Sequence, residues 1–345
     1  MQYGHQSWKF TNKPIISSSA AIVGPFEGKG PLAQDFDTIH GDPWVGQDSW
    51  EKAERRMLEE ACEKAIEKSG LEKDNVQFYL GGDLMAQIIT NNFAARTLGI
   101  PFLGIFGACS TSMEGLALAS MIVDSGNAHT VMCGTASHNS SAEKQFRYPT
   151  EYGGQKPPTA QWTVTGAGAA IVQSESKANG KSPLRVTGAT IGRVVDMGIS
   201  DPFNMGGAMA PAAVDTLTAH FRDFDVNFND YDLVVTGDLG RVGHEICRDL
   251  MVKHGFDVPD NVYKDCGIMM YGDNPTVIAG GSGCACSATV TYGHLFNQMR
   301  QGKLKKILVA ATGALLSPIS FQQKESIPCI CHAVAIEVDE NLLSN

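Results

Sequence analysis

The sequence predicts an α/β protein built from two pseudo-duplicated halves, and three observations carry that reading. Short apolar runs of strand length alternate with longer amphipathic stretches of helical period, and glycine corners stand between them. A small-residue corner carrying cysteine and serine opens a helix twice, in "GACSTSMEGLALA" and in "AGGSGCACSA". Thr135 and Thr312 repeat the spacing that separates Cys109 from Cys286, so order, corner chemistry and spacing all indicate an internal duplication. The halves are expected to span residues 1–185 and 186–345, with no linker or low-complexity segment between them.

The elements follow in order. "DSWEKAERRMLEEACEKAIEKSG" is the clearest helix. Asp48 with Glu51 fits a capping box, Ala53, Met57, Ala61 and Ala65 form an apolar stripe, and Gly70 ends it. "VQFYLGG" reads as a strand, "LMAQIITNNFAARTLG" as a helix, and "PFLGIFG" as a buried strand leading to the Cys109 corner and its helix. "HTVMCGTAS" and "GAGAAIVQ" are two more buried strands. In the second half, "PAAVDTLTAHFRDF" is a helix, "YDLVVTGD" a strand, "LGRVGHEICRDLMVKHG" a helix and "PTVIAGG" a short strand. "SGCACSATVTYGHLFNQMRQG" is a helix, and "KKILVAATGA" and "CICHAVAIEV" are the closing strands.

The gross numbers exclude several classes. At 345 residues and 43% hydrophobic the chain has material for a large core, and a net charge of −10 argues against a nucleic-acid surface. No apolar window is long enough to span a bilayer, and "MQYGHQSWKFTNKP" lacks the apolar region of a signal peptide. Nine cysteines without secreted-type spacing read as reduced thiols in a cytosol-like compartment.

The duplicated order with its two cysteine corners resembles the thiolase and ketoacyl-ACP synthase superfamily over nearly the whole chain. More narrowly, "GPLAQDFDTIHGDPWVGQDSWEKAE", "GGDLMAQIITNNFAAR", "GACSTSMEGLALA" and "AGGSGCACSATVTYGHL" resemble the stage V sporulation protein AD family of spore-forming bacteria. The resemblance implies a five-layered α-β-α-β-α body that dimerises through the strand before the Cys109 corner. It also implies binding of dipicolinic acid (pyridine-2,6-dicarboxylate), free or as its calcium chelate, and service in its uptake into the forespore. The partners implied are other stage V sporulation membrane proteins. The chain would then lie on the cytoplasmic side of the forespore membrane, held there by those partners. No cofactor, metal or nucleic acid is implied.

Cys109 opens a helix, where a thiolate and an oxyanion are both favoured. Condensing chemistry needs two further groups, usually a His–His or His–Asn pair. In the superfamily one is a His at a strand end, where this chain has Gly237 and Asp238, and His244 comes too late along the helix. The other is an Asn, where this chain has Ser282. Near the thiolase Cys-x-Gly motif stands Cys329, with Cys331 in place of the glycine. The nucleophile is therefore expected to be vestigial and the pocket retained for binding; an active acyl-transferring or condensing enzyme using Cys109 is the alternative. Candidate ligand groups are Cys109 and Ser110 at the helix start, Ser282, His332 and His138, Arg241 as a carboxylate partner, and Asp83, whose place at a strand-to-helix corner also suits a cap. For Arg241 the competing role is a solvated or capping residue, and for the two histidines a satisfied core position. The acidic run Asp35, Asp37, Asp42 and Asp48 fails the EF-hand pattern. The Cys284, Cys286, Cys329 and Cys331 pairs have a spacer too short for a usual zinc site.

Overall fold

The structure, a computed structural model, describes residues 1–146, 156–178 and 182–343. The first half runs β1 (Ile15–Val23), α1 (Trp50–Ser69), β2 (Phe78–Asp83), α2 (Ile89–Leu98), β3 (Phe102–Gly104), α3 (Thr111–Asp124), β4 (Thr130–Ser137), α4 (Asn139–Phe146) and β5 (Gly166–Gln173). The second runs β6 (Leu184–Thr190), α5 (Met205–Phe224), β7 (Leu233–Thr236), α6 (Gly240–Lys253), β8 (Tyr263–Asp265), α7 (Cys266–Tyr271), α8 (Cys284–Thr289), β9 (Lys306–Ala314) and β10 (Cys329–Val338). A π-helical stretch, Val290–Leu295, and the helical turn Phe296–Arg300 prolong α8.

Two five-stranded arrays result, ordered β1-β5-β4-β2-β3 and β6-β10-β9-β7-β8. Each has the same pattern: the first strand is antiparallel to the last, the last antiparallel to the fourth, and the remaining pairs parallel. They meet through a single residue pair between β1 and β6, Ile15 with Arg185. The 185/186 division expected from sequence therefore falls inside β6.

Helices α3 and α8 lie between the two arrays, α1 and α2 cover the outer face of the first, and α5 and α6 cover the second. This is the five-layered order. Among the described residues three large apolar cores hold it, with Met113, Leu116, Ala285 and Tyr292 at the centre, Met57, Ala61 and Ala65 under α1, and Met209, Leu217 and Phe221 under α5, and a small fourth surrounds Cys109.

Local chemistry sets the element ends. Ser49, not Asp48, caps α1, accepting the Lys52 N–H at 3.3 Å, while Asp48 pairs with the Lys52 ammonium. Gly70 closes that helix at φ 70°. The segment "PFLGIFG" forms only the short strand β3 at the edge of its array, with Leu103 48% exposed, so the expectation of a buried strand is corrected. "PTVIAGG" contributes no strand until Gly281, which begins the two-residue strand Gly281–Ser282 beside Trp162–Thr163. Among the described residues no helix is long and apolar enough to cross a membrane.

Candidate functional site

Cys109 sits in a single 3₁₀ turn, Ala108–Ser110, that feeds directly into α3. Ala108 adopts φ 49°, a left-handed value costing a non-glycine residue on the order of 1 kcal/mol. The second half holds that corner in place. The Ala108 carbonyl accepts from Thr111 Oγ1 at 2.7 Å and from Cys284 Sγ at 3.0 Å. Ser287 on α8 donates to the Cys109 carbonyl at 3.4 Å and shares a 2.7 Å hydrogen bond with Ser112. On β9, a Cβ at Gly313 would sit on the Gly107 carbonyl oxygen, so only glycine lets this strand approach the corner so closely.

Beside the thiol is Asp238, two residues past the end of β7. It is buried, and its Oδ1 accepts from Thr312 Oγ1 at 2.7 Å. Oδ2 accepts from Ser282 Oγ at 3.1 Å and from the Gly283 N–H at 3.0 Å. The Cys109 thiol lies close enough to the same carboxyl group to feel its charge. Burial pushes the Cys109 thiol well above its ordinary value, and the negative charge of Asp238 adds to this. Burial also raises Asp238, against the pull of its donors. The helix-start argument had favoured a thiolate; a dry setting and an adjacent carboxylate outweigh the helix dipole, which contributes at most about 2 kcal/mol.

The cavity beside Cys109 has a volume of about 30 Å³. Leu84, Phe106, Ala142, Met205 and Leu316 supply its apolar wall, and Cys109, Thr163 and Ser282 its polar groups. Among the described residues lining it none is charged. Leu84, Phe106 and Leu316 also line an outer pocket of about 560 Å³ that opens at β3. These three side chains form the partition between the two spaces.

Of the sequence-predicted ligand residues, Cys109 and Ser282 meet at this cavity, and the other five do not. Ser110 turns its hydroxyl back onto the Gly107 carbonyl at 2.6 Å. His332 accepts the Gly192 N–H at 3.3 Å, and burial lowers its ring to about 4. His138 has both ring nitrogens occupied, by the Pro43 carbonyl at 2.9 Å and the Ser140 N–H at 3.1 Å, the latter at the start of α4. Asp83 fastens the start of α2, accepting from the Met85 and Asn91 N–H groups at 2.9 and 2.8 Å. Arg241 lies half-exposed, bonded to the Gly272 carbonyl at 2.8 Å and to Asp273 at 2.9 Å. In each case a nearby backbone group or counter-ion has captured the polar atom.

Asp238 and Thr312 are the residues the sequence reading missed as site members. The signal was present: "YLGGD" and "VVTGD" end equivalent strands, and Asp238 occupies the place where a catalytic His is expected.

Solved structures of the same architecture define the class. The 3-oxoacyl-[acyl-carrier-protein] synthase III of Aquifex aeolicus VF5 matches at TM-score 0.55 and 15% identity, covering 94% of this chain and 99% of that one. A cerulenin-bound OleA of Xanthomonas campestris matches at 0.62 and 12%, covering 95% and 98%. Human mitochondrial 3-ketoacyl-CoA thiolase, in complex with CoA, matches at 0.57 and 13%, covering 97% and 99%. The protein has a thiolase-like fold.

Its family is more specific. Residues 4–337 match the family described as Stage V sporulation protein AD (SpoVAD), and the Bacillus subtilis (strain 168) protein of that name is 50% identical over 334 residues, 97% of each chain. The chain belongs to the stage V sporulation protein AD family.

Proposed function

We propose that this chain is a non-catalytic, thiolase-fold binding protein for dipicolinic acid, acting in its uptake into the developing forespore. The observation that carries the reading is the Cys109–Asp238 contact: a nucleophile mount remains, yet the group facing the sulfur is a buried carboxylate rather than an imidazole. Such a partner keeps the thiol protonated and leaves no base matched to a thioester enolate. Family membership supports the sporulation role.

The cavity has room for about one water, whereas a benzene-sized guest occupies a cavity of about 150 Å³. Binding therefore requires Leu84, Phe106 and Leu316 to part, joining the cavity to the outer pocket. With no cation among the described lining residues, a dianion would lose hydration without an electrostatic return from them, and the neutral calcium chelate avoids that loss.

Isothermal titration of dipicolinate, with and without calcium, tests the site. Saturable binding is expected, at least as tight with calcium, and weakened about tenfold or more by Ala314→Phe, which fills the cavity. Binding that ignores Ala314→Phe, or no binding, would refute the assignment.

The uptake role implies docking to stage V sporulation membrane proteins at the forespore membrane. A homodimer through β3 is part of the same proposal. That edge strand leaves backbone groups unpaired beside exposed Leu103, Phe106, Ile89 and Phe93, an arrangement that favours strand pairing with a second copy. Light scattering at micromolar concentration is expected to give twice the chain mass; the monomer mass, unchanged by Leu103→Lys, would contradict it.

A further inference from the structure

A second groove, of about 510 Å³, lies on the outer face of the second half and shares no lining residue with the Cys109 cavity. Its construction is regular. On α5, Pro211, Val214, Asp215, Thr218, Ala219 and Arg222 recur at helical spacing and so present one stripe. Across from them Arg193, Val195 and Met197 alternate along an extended segment, pinned to β10 by the paired backbone hydrogen bonds of Val195 and Cys329 at 2.8 Å. Leu250 and His254 at the end of α6, with His5, complete the lining.

Its lining is largely apolar, with Arg193, Asp215 and Arg222 as the charged side chains. Arg193 engages Asp215, and Arg222 engages Asp223, each through Nε and Nη2. That leaves both Nη1 groups without a protein partner among the described residues. The rings of His5 and His254 likewise have no side-chain partner there. Both aspartates temper the field, so the groove offers directed donors more than a strong net charge. A volume within the usual range for small-ligand sites, a largely apolar lining and a few N–H donors without a protein partner among the described residues fit a site for one kind of molecule.

We propose that this groove binds a small amphiphilic organic anion, an apolar ring or chain bearing a carboxylate or sulfonate. The apolar body lies on Val195, Val214 and Leu250, and the anionic head meets Arg193 and Arg222. The site is independent of the dipicolinate reading.

The test uses 8-anilinonaphthalene-1-sulfonate and its uncharged analogue N-phenyl-1-naphthylamine, titrated into the full-length protein with fluorescence detection. The expected result is one saturable sulfonate site, at least tenfold tighter than the uncharged probe. It should weaken about tenfold in the double variant Arg193→Gln/Arg222→Gln, the loss of charge-assisted hydrogen bonds. Thr218→Trp, which fills the groove without removing a charge, should abolish it. Ile319→Asp, in the outer pocket near Cys109, should leave it intact. Equal affinity for both probes, binding lost only in Ile319→Asp, or no saturable binding would each overturn the proposal. Circular dichroism of each variant confirms that a loss of binding is not a loss of fold.

Discussion

Asp238→Ala is expected to lower the unfolding midpoint more than any other single change at the site. The buried carboxyl group accepts from Thr312, Ser282 and the Gly283 N–H and lies beside the Cys109 thiol. Removing it strands these donors, and leaving several buried donors unpaired costs ~3–5 kcal/mol. The loss is expected to be cooperative, because Ser282 and Gly283 lead directly into α8 while Thr312 lies on β9, so one residue joins the middle layer to the second sheet. Asp238→Asn keeps an acceptor oxygen and should lose less. Thermal unfolding followed by circular dichroism checks both, and a shift equal to that of an exposed control such as Asp249→Ala would contradict the role given to Asp238.

A second large effect concerns pH. Glu54 on α1 is buried, accepts from Ser141 Oγ at 2.6 Å, and lies close to Asp83. Burial, then the charge of Asp83, raises its pKa from 4.5 to about 8. A carboxyl raised in the folded state holds a proton that the unfolded chain releases. Its contribution is therefore fully present below about 4.5 and is lost as pH rises toward 8. Asp83, raised to about 6, and Asp265 and Glu114, each raised to about 7, act in the same direction. The buried rings of His220, His244 and His332, lowered to about 3, 4 and 4, oppose them by destabilising the fold as pH falls below 6.5. Comparing wild type with Glu54→Gln cancels the groups that do not interact with Glu54 and leaves the contribution of the Glu54–Asp83 pair. The wild-type curve should fall relative to the variant by up to ~1.4 kcal/mol per pH unit between these limits. Parallel curves from pH 5 to 8 would show that Glu54 titrates normally.

Much of the fold was legible because the pattern was local. The stripe Ala53, Met57, Ala61 and Ala65 is wholly buried, and "GAGAAIVQ" and "CICHAVAIEV" are strands over their full lengths. The opening strand of each half escaped notice. "IISSSAAIV" is interrupted by serines, and only tertiary partners make them acceptable in a core: Ser18 donates to the Ala65 carbonyl at 2.7 Å and Ser19 to that of Tyr292 at 2.8 Å. The start of α2 was misplaced because Gln87 and Ile88 adopt left-handed φ values of 52° and 50°, and no glycine or proline marks that break.

The site was legible only as a position. The Cys109 corner could be recognised from its small residues and the helix that follows. Which polar side chains converge on it depends on long-range packing, and five of seven proposed ligand groups were taken up by nearer partners. Asp238 shows the difference most sharply. As a replacement for histidine it was expected to mark a lost function, whereas in three dimensions its charge adds to burial in raising the thiol.

The state of that sulfur is the central claim, and the pH dependence of Cys109 alkylation tests it most directly. The protein would be treated with iodoacetamide from pH 6 to 10 and modification at Cys109 quantified by mass spectrometry, in wild type and Asp238→Asn. A silenced thiol predicts negligible modification at neutral pH, a rate still rising without a plateau beyond pH 9, and faster modification in the variant. A rate that levels off below pH 7 in the wild type would reveal a stable thiolate, and with it a working nucleophile.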